Sequence, residues 1–583
     1  MSTMSYVEII KKNRELKNKL ASEDYTVGVL TNITNHFLKD ILEYSLRLSA
    51  INAIVEIGGY DNIVQDADRF QKKSSLIIVF WELINFMQGL HRLRPALIND
   101  YEAVKADMVH QIDLLMDLLK NTPLIIFNRF TNVAMSMANP VLGLLDKLAA
   151  DLNKYMDSCN YRNVYFVDLP GIFLKDGIGL CLDWRNYYRN KSLYTLCFYK
   201  TYCDTIINAI RAANGQSKKM LILDCDNTLW DGIVDENGID GIDLSADTAN
   251  GAIFSEVRSM IKELAHCGIL IALCSKNNSD DIDKILTQHP GIILSNNDIV
   301  IKMINWDDKV TNIKLIAETI SIGLDSMVFI DDSAFEVEHV RGLLPEVNSF
   351  KVPDNLYDYP ALLREISGMF YTAAQTTEDL SKQTMYRQQF RRESSKREFD
   401  SLDDYLASLD IQLFCYDNDL NIVTRLSQLS QKTNQFNLTT RRYTERQIEN
   451  FITDAKYDVL AYRVKDKFGD NGITAMVILQ YDLQSFTAII DSFTMSCRII
   501  GRNIEFSIVD HLIWRIKDKN IDQIEAVYIP TQKNVSVKHF YDKCSFQLLD
   551  SYSDAEKRYV MHIDNYSFKN ATNNVMYANE RDN

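Results

Sequence analysis

Paired cysteines are missing from this 583-residue chain. Its ten cysteines stand singly, with no CxxC and no Cys/His spacing of the kind zinc sites use, which excludes a disulfide framework or a structural zinc as the device that holds the fold together. Long apolar runs are missing as well. The stretch Met1 to Lys19 lacks the uninterrupted hydrophobic core of a signal peptide, and no later segment reaches ~18 apolar residues free of charge. No membrane association is expected, and the reading is of a cytoplasmic protein. Nor is there a surplus of basic residues: the formal charge is −16, and because neutralising phosphates requires a net basic face, no nucleic acid is expected as a partner. No internal repeat is apparent.

What the chain does contain is an ordinary globular balance, 46% hydrophobic and 24% charged residues, at a length that implies several domains. From Tyr25 to Asp168 the runs Val27–Leu30, Ala53–Ile57, Leu76–Phe80, Leu124–Phe127 and Val164–Val167 alternate with amphipathic stretches such as Tyr101–Leu119. That is a βαβ rhythm, and it predicts an α/β domain over residues 1–215. A second α/β unit is expected over 216–376, and an exposed connecting helix rich in Gln, Arg, Lys and Glu over 377–400. A third domain with a mixed sheet is expected over 401–565, followed by an Asn-rich flexible tail over 566–583.

The chemistry gathers in the second unit. The run Leu221–Leu223 ends in Asp224-Cys225-Asp226-Asn227-Thr228, two carboxylates two positions apart at the carboxyl end of a strand, where a parallel sheet presents its ligand crevice. A second run, Ile269–Leu273, ends in Cys274-Ser275-Lys276-Asn277, offering a hydroxyl and backbone N–H groups to a phosphate. Lys309 opens a helical stretch after the polar run Asn305–Asp308, and a third run, Met327–Ile330, ends in Asp331-Asp332. Each residue alone reads as a turn or surface group. Adjacent carboxylates after a buried strand repel unless a cation lies between them, so the set implies a hard, oxygen-bound metal, Mg²⁺ foremost.

The ordered set DxDxT, Ser, Lys, DD resembles the haloacid dehalogenase (HAD) superfamily. The resemblance implies that Asp224 is a nucleophile forming an aspartyl phosphate and that Asp226 is the general acid/base. It assigns Mg²⁺ to Asp224, the Asp226 carbonyl and Asp332, with Asp331 supporting, and assigns phosphate binding to Thr228, Ser275, Lys276, Asn277 and Lys309. The longer strings Asp226-Asn227-Thr228-Leu229-Trp230-Asp231-Gly232, Ser275-Lys276-Asn277-Asn278 and Gln431-Lys432-Thr433-Asn434-Gln435-Phe436-Asn437, with Ser496-Cys497-Arg498, resemble the FkbH-like branch. That branch implies loading of a glyceryl unit from 1,3-bisphosphoglycerate, a phosphorylated three-carbon acid, onto an acyl carrier protein.

The third domain resembles an N-acetyltransferase (GNAT) fold. Arg498-Ile499-Ile500-Gly501-Arg502-Asn503 is similar to its pyrophosphate loop, although Asn503 replaces the last small residue. The resemblance assigns Arg498, Gly501, Arg502, Asn534 and Tyr541 to a phosphopantetheine arm supplied by the carrier protein, and Cys497, beside a cation and a helix start, is the expected acyl-bearing thiol. The first domain is similar in layout to an SGNH-hydrolase or flavodoxin-like unit, but Thr31-Asn32-Ile33-Thr34 stands where such hydrolases have their serine. The leading expectation is an enzyme coupling HAD-type dephosphorylation to thioester formation. Two alternatives stay open: a Mg²⁺-dependent phosphatase acting on a sugar phosphate or other metabolite, and a non-enzymatic assembly scaffold with a vestigial HAD site.

Overall fold

The computed structural model describes residues 4–20, 25–135, 143–159, 161, 163–289, 291–371, 385, 388, 392, 399, 401–519, 521–531, 533–552, 556–568 and 575–577. The chain divides into two compact units, residues 1–214 and 215–583. The first holds five parallel strands: β1 (Tyr25–Thr31), β2 (Ala53–Ile57), β3 (Leu76–Phe80), β4 (Leu124–Asn128) and β5 (Val164–Val167), in the order β2-β1-β3-β4-β5. β3 and β4 are buried along their whole length, which is why they read as unbroken apolar runs instead of alternating ones. Helices Leu38–Leu48 and Leu196–Ala213 cover one face, and Ile63–Gln71, Tyr101–Leu119 and Leu144–Ser158 cover the other. At the point where a hydrolase serine would stand, the Asn32 side chain instead bridges two loops, donating to the Glu82 carbonyl at 2.9 Å and accepting from the Glu82 N–H at 2.8 Å.

The second unit carries two sheets. One is fully parallel, with β6 (Met220–Leu223), β7 (Leu270–Ser275), β8 (Ile301–Ile304), β9 (Met327–Asp331) and β10 (Asn348–Lys351) in the order β10-β9-β6-β7-β8. β6, the central strand, is flanked by β7 and β9. The loops after these three therefore meet at one end of the sheet, and they are the loops that hold the Asp, Ser and Asp-Asp motifs.

The other sheet is mixed. It contains β11 (Gln412–Asp417), β12 (Phe436–Asn437), β13 (Tyr457–Asp466), β14 (Gly469–Asp482), β15 (Thr487–Met495), β16 (Gln523–Tyr528), β17 (Gln547–Tyr552), β18 (Glu556–His562) and β19 (Val575–Tyr577). The order is β17-β18-β16-β15-β14-β13-β11-β19, with β12 paired to β15. β15 and β16 run parallel, joined by a crossover through the helix Ile504–Asp518. Three sheets of the α/β class, two parallel and one mixed, are the architecture expected from the sequence.

Two local expectations fare differently. Most of the connecting helix over 377–400 lies outside the described residues. The tail is not uniformly unstructured: Val575–Tyr577 adds in parallel to β11, an edge strand whose free backbone groups accept one more partner, and the surrounding Asn-rich composition hid that short apolar run. Among the described residues no helix is long and apolar enough to cross a membrane.

Candidate active site

Asp224 is the first residue beyond β6. Its N–H donates to the Ile330 carbonyl at 3.0 Å, so the chain is still bound to β9 as it begins to turn. Asp331 ends β9 and Asp332 follows. Asp224 and Asp331 are buried and Asp332 is half-buried, and one oxygen from each of the three lies within 4.8 Å of the others. Lys309 is placed by the helix Lys309–Ile320, which Asp308 caps by accepting from Thr311 N–H. Its ammonium is 2.9 Å from Asp224 Oδ1 and also closes on Asp331 Oδ2. Burial opposes the charge on Lys309, but Asp224 and Asp331 outweigh it and hold the ammonium above its ordinary range.

Three carboxylates and one ammonium leave an excess of negative charge in a largely buried pocket. Burial, reinforced by Asp224, pushes the Asp331 carboxyl up to about 6 and raises Asp332 as well. An all-oxygen donor set with surplus negative charge is what a hard divalent cation requires, so Asp224, Asp331 and Asp332 fit Mg²⁺.

Asp226 points to a different set of partners. Oδ1 accepts from Trp230 Nε1 at 2.9 Å and from Val234 N–H at 3.2 Å, and Oδ2 accepts from Asn277 Nδ2 at 2.8 Å. Burial raises its pKa against the pull of those donors. Asn227, in the left-handed region at φ 50°, turns the chain back and donates from Nδ2 to Asp332 Oδ2 at 3.2 Å. Ser275 is buried at the end of β7, and the Thr228 hydroxyl is buried without a hydrogen bond. The structure therefore brings Asp224, Asp226, Asp331, Asp332 and Lys309 together, with Ser275 and Thr228 beside the same strand ends.

Lys276 and Asn277 are committed differently from the phosphate role expected of them. Lys276 Nζ pairs with Glu336 Oε1 at 2.7 Å, and Asn277 holds Asp226. Trp230 and Asn227 were not among the candidate residues, although both lie in the quoted motif. For Trp230 the signal is positional, since within a tight turn a donor four residues from a carboxylate can fold back onto it; the Asn227 partner, Asp332, lies 105 positions away. Cys225 lies between the two aspartates in sequence but is fully buried, and desolvation pushes its thiol well up.

In the mixed-sheet part, Cys497 opens a short turn after β15 and is half-buried. Arg498 and Arg502 are buried, with Arg502 Nη1 on Asp466 Oδ2 at 3.0 Å. Asn534 and Tyr541 are also buried, and burial holds the Tyr541 hydroxyl far above its ordinary range.

No protein-family model and no curated protein sequence matches the chain. Among solved structures it is similar to the N-terminal part of the protein BF1531 from Bacteroides fragilis, which contains a phosphatase domain and was crystallised with Mg. The identity is 25%, the TM-score 0.55, and the match covers 64% of this chain and 100% of that one. The Escherichia coli ribosomal-protein-S18-alanine N-acetyltransferase matches at 11% identity and TM-score 0.21, covering 26% of this chain and 94% of that one. A mutant form of the Vibrio cholerae spermidine/spermine N-acetyltransferase SpeG matches at 14% and 0.22, covering 27% and 96%.

Proposed function

We propose that the chain is a Mg²⁺-dependent HAD-type phosphotransferase working through an aspartyl phosphate on Asp224. The observation that carries this reading is the cluster of Asp224, Asp331 and Asp332 around the ammonium of Lys309. The Mg-bound phosphatase domain of the Bacteroides fragilis protein supports it. Asp224, Asp331 and Asp332 would hold the ion, which when bound screens the negative charge that otherwise keeps a carboxylate from a phosphate.

The residues of the chain then divide the work. An Asp224 oxygen forms a bond to phosphorus as the bond to the leaving oxygen breaks, and Asp226 delivers a proton to that oxygen. Water next attacks phosphorus, Asp226 takes back a proton, and the bond to Asp224 breaks to release phosphate. Lys309, Ser275 and the buried Thr228 hydroxyl meet the charge on the equatorial oxygens.

At finer detail we propose the FkbH-like reaction, supported by the motif strings through residues 431–437 and 496–498. A thiolate sulfur bonds to the acyl carbon of 1,3-bisphosphoglycerate as the bond from that carbon to the phosphate oxygen breaks, releasing inorganic phosphate, which takes up the thiol proton. The remaining phosphate ester is hydrolysed at Asp224, leaving a glyceryl thioester on an acyl carrier protein. A simpler reading, a phosphatase alone, is favoured by one observation: Arg502, Asn534 and Tyr541 are buried, two of them committed to partners inside the fold.

Intact-mass spectrometry of the protein with Mg²⁺, 1,3-bisphosphoglycerate and a panel of carrier proteins separates the readings. A dephosphorylated glyceryl adduct that disappears in Asp224→Asn is the result expected of the finer reaction. Phosphate release without any adduct would leave the phosphatase, and no Asp224-dependent release from any phosphorylated substrate would overturn both.

A further inference from the structure

Of the five residues expected to hold a phosphopantetheine arm, Arg502 and Asn534 are committed to partners within the fold. β15 and β16 pair in parallel only from Thr487 to Ile490 and then part. Parallel strands that diverge expose unpaired backbone N–H and C=O groups to the gap, where an extended arm or another strand can be added.

Here the gap is filled from within the chain. β12 pairs antiparallel with β15, Phe436 opposite Met495 and Asn437 opposite Thr494. Leu438 N–H donates to the Phe493 carbonyl at 3.2 Å on one side, and Ile529 N–H donates to the Leu438 carbonyl at 2.9 Å on the other. Residues 436–438 thus bond to both diverging strands.

Asn534 fixes them there. Its Nδ2 donates to the Asn437 carbonyl at 3.0 Å and the Ile529 carbonyl at 2.9 Å, while Oδ1 accepts from Thr531 N–H at 2.7 Å and Tyr528 O–H at 3.1 Å. A carboxamide offers two donors and two acceptor positions, so nothing is left for a ligand.

We infer that this domain takes neither coenzyme A nor a pantetheine arm between β15 and β16, and that residues 436–438 are a permanent strand of the sheet, latched by Asn534. Thioester chemistry with a carrier thiol is thereby confined to places outside this cleft. The inference is independent of the phosphoryl reading of Asp224, since it concerns a different sheet.

Calorimetric titration of the full-length protein with coenzyme A and with pantetheine, alongside hydrogen exchange at the Leu438 and Ile529 amides, tests it. Neither probe is expected to bind saturably at millimolar concentration, and both amides should exchange as slowly as the centre of β15. In Asn534→Ala these amides should exchange about tenfold faster, the effect of losing one buried latch, with no gain of binding. Saturable binding of either probe that deprotects the two amides would show that the arm displaces the segment. Coenzyme A binding gained by Asn534→Ala would show that a working slot lies beneath it, and either result overturns the inference.

Discussion

The indole N–H of Trp230 donates to Asp226 Oδ1 at 2.9 Å, while Asn277 holds the other carboxylate oxygen at 2.8 Å. Trp230 is fully buried. In the proposed mechanism Asp226 gives and then takes a proton, so its action depends on where its carboxylate points, and Trp230, Asn277 and the Val234 N–H set that direction. Trp230→Phe removes the donor and keeps the ring volume. We expect kcat for phosphate release to fall about tenfold to a hundredfold, with KM and the Mg²⁺ dependence close to wild type. Steady-state kinetics on any accepted phosphate ester checks this, and a change confined to KM would contradict a positioning role.

Lys309 carries a second prediction. Its side chain is 5% exposed and lies between two carboxylates, one of them fully buried. Lys309→Met removes the only ammonium bonded to Asp224 and Asp331 among the described residues and leaves like charges facing each other, so the variant should be destabilised by about 3–5 kcal/mol without metal. Because a divalent cation relieves the same repulsion, Mg²⁺ should raise Tm more in the variant than in wild type. Thermal unfolding with and without Mg²⁺ measures both. An equal Mg²⁺ effect in the two proteins would place the ion elsewhere.

How much of this was legible in the sequence depends on the kind of interaction. Strands β3, β4, β6 and β9 are buried on both faces and stand out as apolar runs, and the Asp224, Ser275 and Asp331 motifs each end such a run, so the parallel sheet and its crevice could be read directly. The roles of single polar side chains could not. Arg502 and Asn534 match a ligand-binding pattern in spacing, yet Asn534 is taken up by β12, a two-residue strand with no periodicity to announce it, and Arg502 by Asp466, 36 positions away. The same holds for Lys276 and Asn277, whose partners Glu336 and Asp226 are 60 and 51 positions away.

The metal cluster gives a third prediction. Asp224→Asn abolishes the nucleophile and also deletes one of three crowded carboxylates. Aspartyl-phosphate formation and phosphate release should therefore drop to background, while the metal-free protein becomes more stable, by about 1 kcal/mol or more, through relief of repulsion. Phosphoenzyme trapping and Tm in the presence of a chelator give the two readouts. Residual turnover near the wild-type rate would remove Asp224 from the mechanism.

Two buried groups, one in each unit, should contribute pH dependences of opposite sign. In the first, burial raises the Glu82 carboxyl to about 7. A carboxyl raised above its unfolded value near 4.5 stays protonated in the folded state after the unfolded chain has released its proton, so stability falls as pH climbs from about 4.5 to 7. In the second unit, burial and then Arg515 lower His511 to about 4, while Tyr462 O–H lies 2.9 Å from its Nδ1. There the unfolded chain binds the extra proton, so stability is lost as pH falls from about 6.5 towards 4. Each group is worth about 3 kcal/mol at the far end of its window. Glu82→Gln should flatten the first dependence and raise the stability of that unit at neutral pH, and His511→Gln should flatten the second. Hydrogen exchange across pH 4.5–7, resolved by peptide, follows the units separately. If Glu82→Gln and His511→Gln leave the pH dependence of their units unchanged, burial of these two groups does not contribute to the acid and neutral limits of stability.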